Sequence, residues 1–353
     1  MEKIAAITIT RQGIEIGRKI LDKYPSARLY LSTKYGAPAG PRETGFDGVM
    51  KNLLAEIYPR YDGLIFIMAA GIVVRTILDY VKDKKVDPAV LVVDIKGTFV
   101  ISLLSGHLGG ANRLAREVAG WIGATPVITT GTDVNETIAP DLIAVEIGGE
   151  IDDFETMKRV SALLVDNQKV AVLNLTALTV KSLSSGLKEN VLLCESLKNL
   201  NGAGAEGAIV ITEKILTEQE VGPPAVCFIR PKTLIVGVGC NRGTPADEFE
   251  AIFTILEERR LSPKSVRSLA TIDLKKDEAG LLEFAERRKL PIRFFSREEI
   301  DALGTPPNPS ETVERYVGVK GVAEPAALLA SGGKLVIEKV KRGNITVAVA
   351  KAE

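Results

Sequence analysis

Residues 102–112 read SLLSGHLGGAN, an apolar strand end running into three glycines and the single histidine of the chain. A strand that feeds a Gly-rich loop opening a helix leaves backbone N–H groups and the positive end of the helix dipole free to face an anion. The glycines let that anion approach the backbone. His107 sits inside the loop, and an imidazole that titrates near neutrality can serve as a general base. A tight strand–helix connection whose histidine merely bonds a carbonyl explains the same residues. Ser105, Gly106, Gly109, Gly110 and Asn112 are the candidate ligand contacts here.

Two neighbouring stretches have related chemistry. In MAAGIVVR (68–75), small residues end a strand, Gly71 permits close approach, and Arg75 follows on the helix, where a guanidinium can grip a carboxylate bidentately. Compact helix–sheet packing with a solvated arginine is the simpler account. TTGTDVN (129–135) offers Thr129, Thr130 and the carboxylate of Asp133, although Asx- and ST-turn chemistry explains most of it without a ligand. Further on, GVGCNRGT (237–244) puts Gly239 and Arg242 at another strand–helix junction. Arg242 at its sixth position breaks the dinucleotide fingerprint, and the string is no Walker A loop. Cys240 there reads as a small buried residue or as a nucleophile with a depressed pKa. Glu324, in GVAEPAA (321–327), is placed beside the same crevice.

Elements must position these groups. Apolar, β-branched runs predict strands over 4–10, 28–31, 63–68, 89–94, 98–104 and 125–130, with helices over 13–23, 48–58, 72–80 and 111–122. The stretch 34–44 reads as a loop, and Lys96-Gly97 as a turn. Alternation of this kind implies a mostly parallel layered sheet, whose ligands bind beyond the carboxyl ends of the strands. The loops at 69–71, 105–110 and 129–133 are therefore expected to share one edge. Three domains are expected: an N-terminal α/β domain over 1–137, a small variable middle α/β domain over 138–226 bounded near Gly222-Pro223-Pro224, and a C-terminal α/β domain over 227–353. In the last, strands are predicted over 233–238, 266–272 and 292–295, with a closing hairpin around Arg342-Gly343-Asn344. A helix from Pro245 to about Arg260 is capped by the Thr244 hydroxyl. Charge runs at 82–85 and 286–289 read as solvated helix ends.

Composition narrows the classes. The 353 residues carry 45 Lys+Arg against 45 Asp+Glu, which argues against a broad footprint for nucleic acid or an anionic membrane. Apolar residues make up 46% but aromatics only 5%, suiting aliphatic strand cores over an aromatic binding face. Cys194, Cys227 and Cys240 form no C-x-x-C pair, so no disulfide framework or zinc site is signalled. The opening MEKIAAITITRQG turns polar too soon for a secretory signal. No apolar run is long enough to span a bilayer. A cytoplasmic protein is expected.

Taken in order, these strings resemble the cobalt-precorrin-5A hydrolase family of anaerobic cobalamin biosynthesis. The resemblance rests on MAAGIVVR, DPAVLVVDIKGTFVISLLSGHLGGAN and TPVITTGTDVN in the first part. In the last part it rests on VGVGCNRGT, LATIDLKKDEAGL, PIRFFSREEI, GVKGVAEPAALLA and TVAVA. It implies hydrolysis of the δ-lactone of cobalt-precorrin-5A, with release of acetaldehyde and formation of cobalt-precorrin-5B. It also implies that cobalt arrives inside the substrate, so that no cofactor of the protein's own is expected, and that contact with neighbouring pathway enzymes is transient. His107, with Asp133 or Asp94, is then the candidate base. The N–H groups of Gly106, Gly109 and Gly110 are the candidate oxyanion donors, and Arg75 and Arg242 the partners of peripheral carboxylates. Two other classes stay open: a binder that hands on a tetrapyrrole intermediate without chemistry, and, more weakly, a nucleotide-binding protein.

Overall fold

The computed structural model describes residues 3–47, 49–83, 86–184 and 187–352. Gly48, where a helix is predicted to begin, and Lys84 and Lys85, in an expected solvated run, lie outside them. The chain forms two compact units, Met1–Thr137 and Ile138–Glu353. Both are α/β, and the second contains two sheets. No helix among the described residues is long and apolar enough to cross a membrane.

The first unit is one seven-stranded sheet. Its strands are β1 (Ile4–Thr8), β2 (Arg28–Ser32), β3 (Glu43–Phe46), β4 (Gly63–Ile67), β5 (Ala89–Val93), β6 (Phe99–Leu104) and β7 (Thr125–Val127), ordered β3-β2-β1-β4-β5-β6-β7. Helices α1 (Arg11–Lys23) and α4 (Ala111–Ile122) cover one face; α2 (Met50–Ile57) and α3 (Ala70–Ile77) cover the other. The alternation of β1 makes this sorting visible. Ile4 and Ala6 join the core with Ile20 and Leu114, whereas Ala5 and Ile7 join Leu54 and Val73. The short polar strand β3 sits on the sheet edge and overlaps the end of the stretch expected to be a loop, because ETGF carries no apolar run to announce it. β7 closes at Val127, and residues 128–130 leave the sheet.

Every strand pair here is parallel except one. β5 and β6 are antiparallel, with Val92 opposite Ile101. β6 and β7 therefore run against the other five strands. This overturns the expected single edge: the loop after β4 opens at one end of the sheet, and those after β6 and β7 open at the opposite end.

In the second unit, β8 (Glu150–Ile151), β9 (Val170–Asn174), β10 (Val191–Cys194), β11 (Gly207–Ile211) and β12 (Ala225–Arg230) form a sheet ordered β10-β9-β11-β12-β8. The division expected at 226 falls inside β12, which is hydrogen-bonded to β11; the Gly-Pro-Pro string is only the loop before that strand. The last sheet is β15-β14-β13-β17-β16, built from β13 (Leu234–Cys240), β14 (Val266–Ile272), β15 (Ile292–Phe295), β16 (Lys334–Arg342) and β17 (Ile345–Lys351). After β13 the chain makes a 3-10 turn, Ala246–Glu250, before the α-helix Ala251–Glu258. Thr244 does not cap it. Pro245 is extended at ψ 153°, and the Thr244 hydroxyl donates to the Asn241 carbonyl instead.

The helix Ala323–Ser331 lies directly on β13. A Cβ added at Gly237 would stand 1.8 Å from the Ala323 carbonyl oxygen, whereas one at Gly239 meets nothing nearer than 3.7 Å. Gly237→Ala is expected to destabilise the protein by about 1–3 kcal/mol through overpacking, while Gly239→Ala stays within about 0.5 kcal/mol. Chemical denaturation of the two variants checks this, and equal stabilities would show that the helix does not bear on that strand.

Candidate functional site

The loop after β6 is folded by its own backbone. Ser105 adopts a left-handed φ of 58° and Gly110 one of 79°. Gly110 N–H donates to the His107 carbonyl, Ala111 N–H to that of Ser105, and Asn112 N–H to that of Gly106, all at 2.9–3.0 Å. The expected oxyanion role of Gly110 is corrected by this, since its N–H is spent inside the loop. Those of Gly106 and Gly109 have no protein acceptor among the described residues. Both glycines also have a packing reason: an added Cβ would stand 2.8 Å from Asn112 Oδ1 at Gly106, and 2.4 Å from Ser105 Cβ at Gly109.

Helix α4 and the one-turn helix α5 (Gly131–Val134) bring the side chains together. His107 Nε2 lies 2.8 Å from Asp133 Oδ2, and the side chains are only 10% and 13% exposed. Arg116 Nη2 donates to Asp133 Oδ1 at 2.6 Å, and Asn112 Nδ2 donates to Oδ2 at 2.9 Å. Thr132 Oγ1 is 3.2 Å from the same imidazole nitrogen. Burial pushes the Asp133 carboxyl up, but the hydrogen bonds from Arg116 and His107 outweigh it and hold the group below its ordinary range. An ionised carboxylate only accepts, so Nε2 carries the proton and the basic lone pair of the neutral ring is on Nδ1. Such an imidazole, oriented by a buried carboxylate, is equipped to take a proton from a nucleophile.

The other candidates fall in different places. Thr130 accepts from Asn112 Nδ2 at 2.9 Å and so belongs to the cluster; Thr129 is exposed beside it. Ser105 Oγ donates to the Asp87 carbonyl at 3.1 Å, pinning the loop to the start of β5. Asp94 is at the opposite edge. It accepts from the backbone N–H of Lys96, Thr98 and Phe99 at 2.9, 2.8 and 2.6 Å. Its carboxyl is held below the ordinary range, burial opposing and the donors of Phe99, Lys96 and Thr98 prevailing. Asp94 is thus a turn residue and no partner of His107. Gly71 and Arg75 share that far edge, where Arg75 donates to the Gly71 carbonyl at 3.2 Å. They do not join the histidine cluster.

Gly239, Arg242 and Glu324 lie in the second unit. Arg242 is engaged by Asp277 at 2.5 Å and by the Leu274 carbonyl at 2.8 Å. Glu324 is 2% exposed and accepts from Asn308 N, Asn308 Nδ2 and Lys339 N. It braces the loop at Asn308 against β16 and presents no free oxygen edge. Burial pushes the Cys240 thiol up, the reverse of nucleophile activation. Sequence inspection missed Arg116 and Thr132. The available signal was spacing: Arg116 is four residues beyond Asn112, hence on the same face of α4.

Family models described as "Cobalamin synthesis G N-terminal", "Cobalamin biosynthesis central region" and "Cobalamin synthesis G C-terminus" match residues 52–133, 138–231 and 234–350. A cobalt-precorrin-5A hydrolase of Priestia megaterium is 40% identical over 98% of this chain and 94% of its own. One from Salmonella typhimurium is 33% identical over 99% and 98%, and a probable one from Methanocaldococcus jannaschii 33% over 82% and 85%.

Because Asp133 is held below its unfolded pKa, the stability it contributes is full above the unfolded carboxyl range. That stability is lost as pH falls through the folded value. The unfolding free energy of the parent is expected to fall more steeply than that of Asp133→Asn between roughly pH 5 and pH 2. Denaturant titrations at stepped pH test this, and parallel curves would mean the carboxylate is not specially held.

Proposed function

The chain belongs to the cobalt-precorrin-5A hydrolase family, and on that premise we propose that it opens the δ-lactone of cobalt-precorrin-5A and releases acetaldehyde. Water adds to the lactone carbonyl as its proton passes to the His107 imidazole, and the acyl C–O bond then breaks. The freed carbinol oxygen becomes the aldehyde carbonyl as the carbon–carbon bond to the macrocycle breaks. The electron pair of that bond returns to the macrocycle, which takes up the proton. The products are acetaldehyde and cobalt-precorrin-5B. Cobalt is cargo of the substrate throughout.

One observation carries this assignment: His107 Nε2 lies 2.8 Å from a buried Asp133 that is also bound by Arg116. The carboxylate fixes the tautomer and stabilises the imidazolium that forms, while Arg116 keeps the carboxylate ionised. The N–H groups of Gly106 and Gly109, at the end of β6, are the donors available to a developing oxyanion. Hydrolysis under this scheme asks for one base, its orienting partner and a few fixed dipoles.

His107→Ala is expected to lower acetaldehyde release by about 10²–10⁴-fold, the usual contribution of a general base. The assay is anaerobic incubation with cobalt-precorrin-5A, reading acetaldehyde and corrinoid mass together. Release near the parent rate removes His107 as base. Bound but unchanged corrinoid with the parent protein would instead indicate a carrier of the intermediate.

A further inference from the structure

Asn112 was a candidate substrate contact, yet it is 3% exposed and every polar atom of its amide is occupied within the protein. Oδ1 accepts from Ser102 Oγ at 2.7 Å. The two hydrogens of Nδ2 go to Thr130 Oγ1 and Asp133 Oδ2, both at 2.9 Å. A primary amide has two donors, so none is left for a ligand. The backbone N–H of Asn112 meanwhile holds the Gly106 carbonyl at 3.0 Å. One residue therefore ties β6, the histidine loop, the residue before α5, and α5 itself.

We propose that Asn112 is a positioning residue that fixes the Asp133 carboxylate, and through it the tautomer and orientation of His107. Its catalytic consequence rests on His107 being the base. Oδ2 of Asp133 receives both Asn112 and His107, while Oδ1 receives the half-exposed Arg116. Without the amide, the charged guanidinium is the stronger donor and draws the carboxylate toward itself, away from the imidazole. No substitute does the same work. Leucine has the volume but no donor, and aspartate would set an acceptor against the Asp133 carboxylate. The amide orientation is also settled, because the reversed one would point Oδ1 at that anion.

The single histidine makes the test direct, since ¹⁵N spectra report one imidazole. In the parent, the neutral ring is expected to carry its proton on Nε2. Asn112→Ala should give a mixture of tautomers. It should also lower kcat for cobalt-precorrin-5A by roughly 10–10²-fold, as expected for a small misplacement, with KM within about twofold. Asn112→Asp keeps the side-chain shape but sets a second carboxylate at the cluster, so circular dichroism and denaturation first establish that both variants fold. Asn112→Asp should lose the fixed tautomer as well and move the pH–rate profile upward, because a second carboxylate raises proton affinity. A parent-like tautomer in both folded variants overturns the proposal. So does a raised KM at unchanged kcat, which marks a substrate contact. Loss of the tautomer in both variants, while His107→Ala still releases acetaldehyde, upholds the clamp and rejects His107 as base.

Discussion

Only residues 94–98 separate β5 from β6, and so short a connection cannot make the crossover that parallel strands require. The chain has to turn back. Asp94 enforces the reversal by accepting three backbone N–H groups across the turn, and Gly97 supplies its left-handed residue at φ 69°. Everything about the location of the histidine follows. β6 emerges at the edge where β5 began, β7 runs beside it in the same direction, and their trailing loops meet there. Ser105 then bonds the Asp87 carbonyl at the entrance to β5. An aspartate that invites a catalytic assignment thus acts one sheet-length away, by deciding which edge the histidine loop occupies.

At that edge, charge is the organising term. A carboxylate as buried as Asp133 is costly unless each oxygen is met by donors. It meets a guanidinium, an amide and an imidazole, and two of these come from one face of α4 at a four-residue spacing. The local folding problem and the chemical one share a solution. The contacts that make the charge tolerable also hold the imidazole in a single tautomer. Glycine follows from the same packing: at Gly106 the room a side chain would need is taken by Asn112.

Much of this was legible in the residues. Long apolar β-branched runs marked β1, β4, β5 and β6, and the spacing of α1 and α4 showed their buried faces. The pairing of His107 with Asp133 was also within reach, because both follow adjacent strands running the same way. The far-edge placement of Gly71, Arg75 and Asp94 was recoverable from the Lys96-Gly97 turn, but the alternation of strands and helices suggested a parallel sheet throughout. Arg116 was harder to read, because spacing put it on the face of Asn112 without showing what it would meet. An arginine on an amphipathic helix looks solvated until the partner is located by a contact 17 residues away in sequence. The edge strand β3 and the 3-10 turn after Pro245 failed for a different reason, since neither has a periodic signal of its own.

Charged residues in the second unit differ in how available they are, and burial decides the difference. Arg242 and its partner Asp277 are 60% and 74% exposed, so their ion pair is screened and adds little, and an incoming carboxylate can exchange with Asp277 at small cost. Glu324 is the opposite case. Its carboxylate is buried, accepts two donors from Asn308 and one from Lys339, and sits at the start of the helix packed on β13. Withdrawing it toward a ligand would leave three part-buried hydrogen bonds, from Asn308 and Lys339, unmade. Arg242 therefore keeps a replaceable partner, whereas the charge of Glu324 is already committed to holding the sheet, the loop and the helix in register.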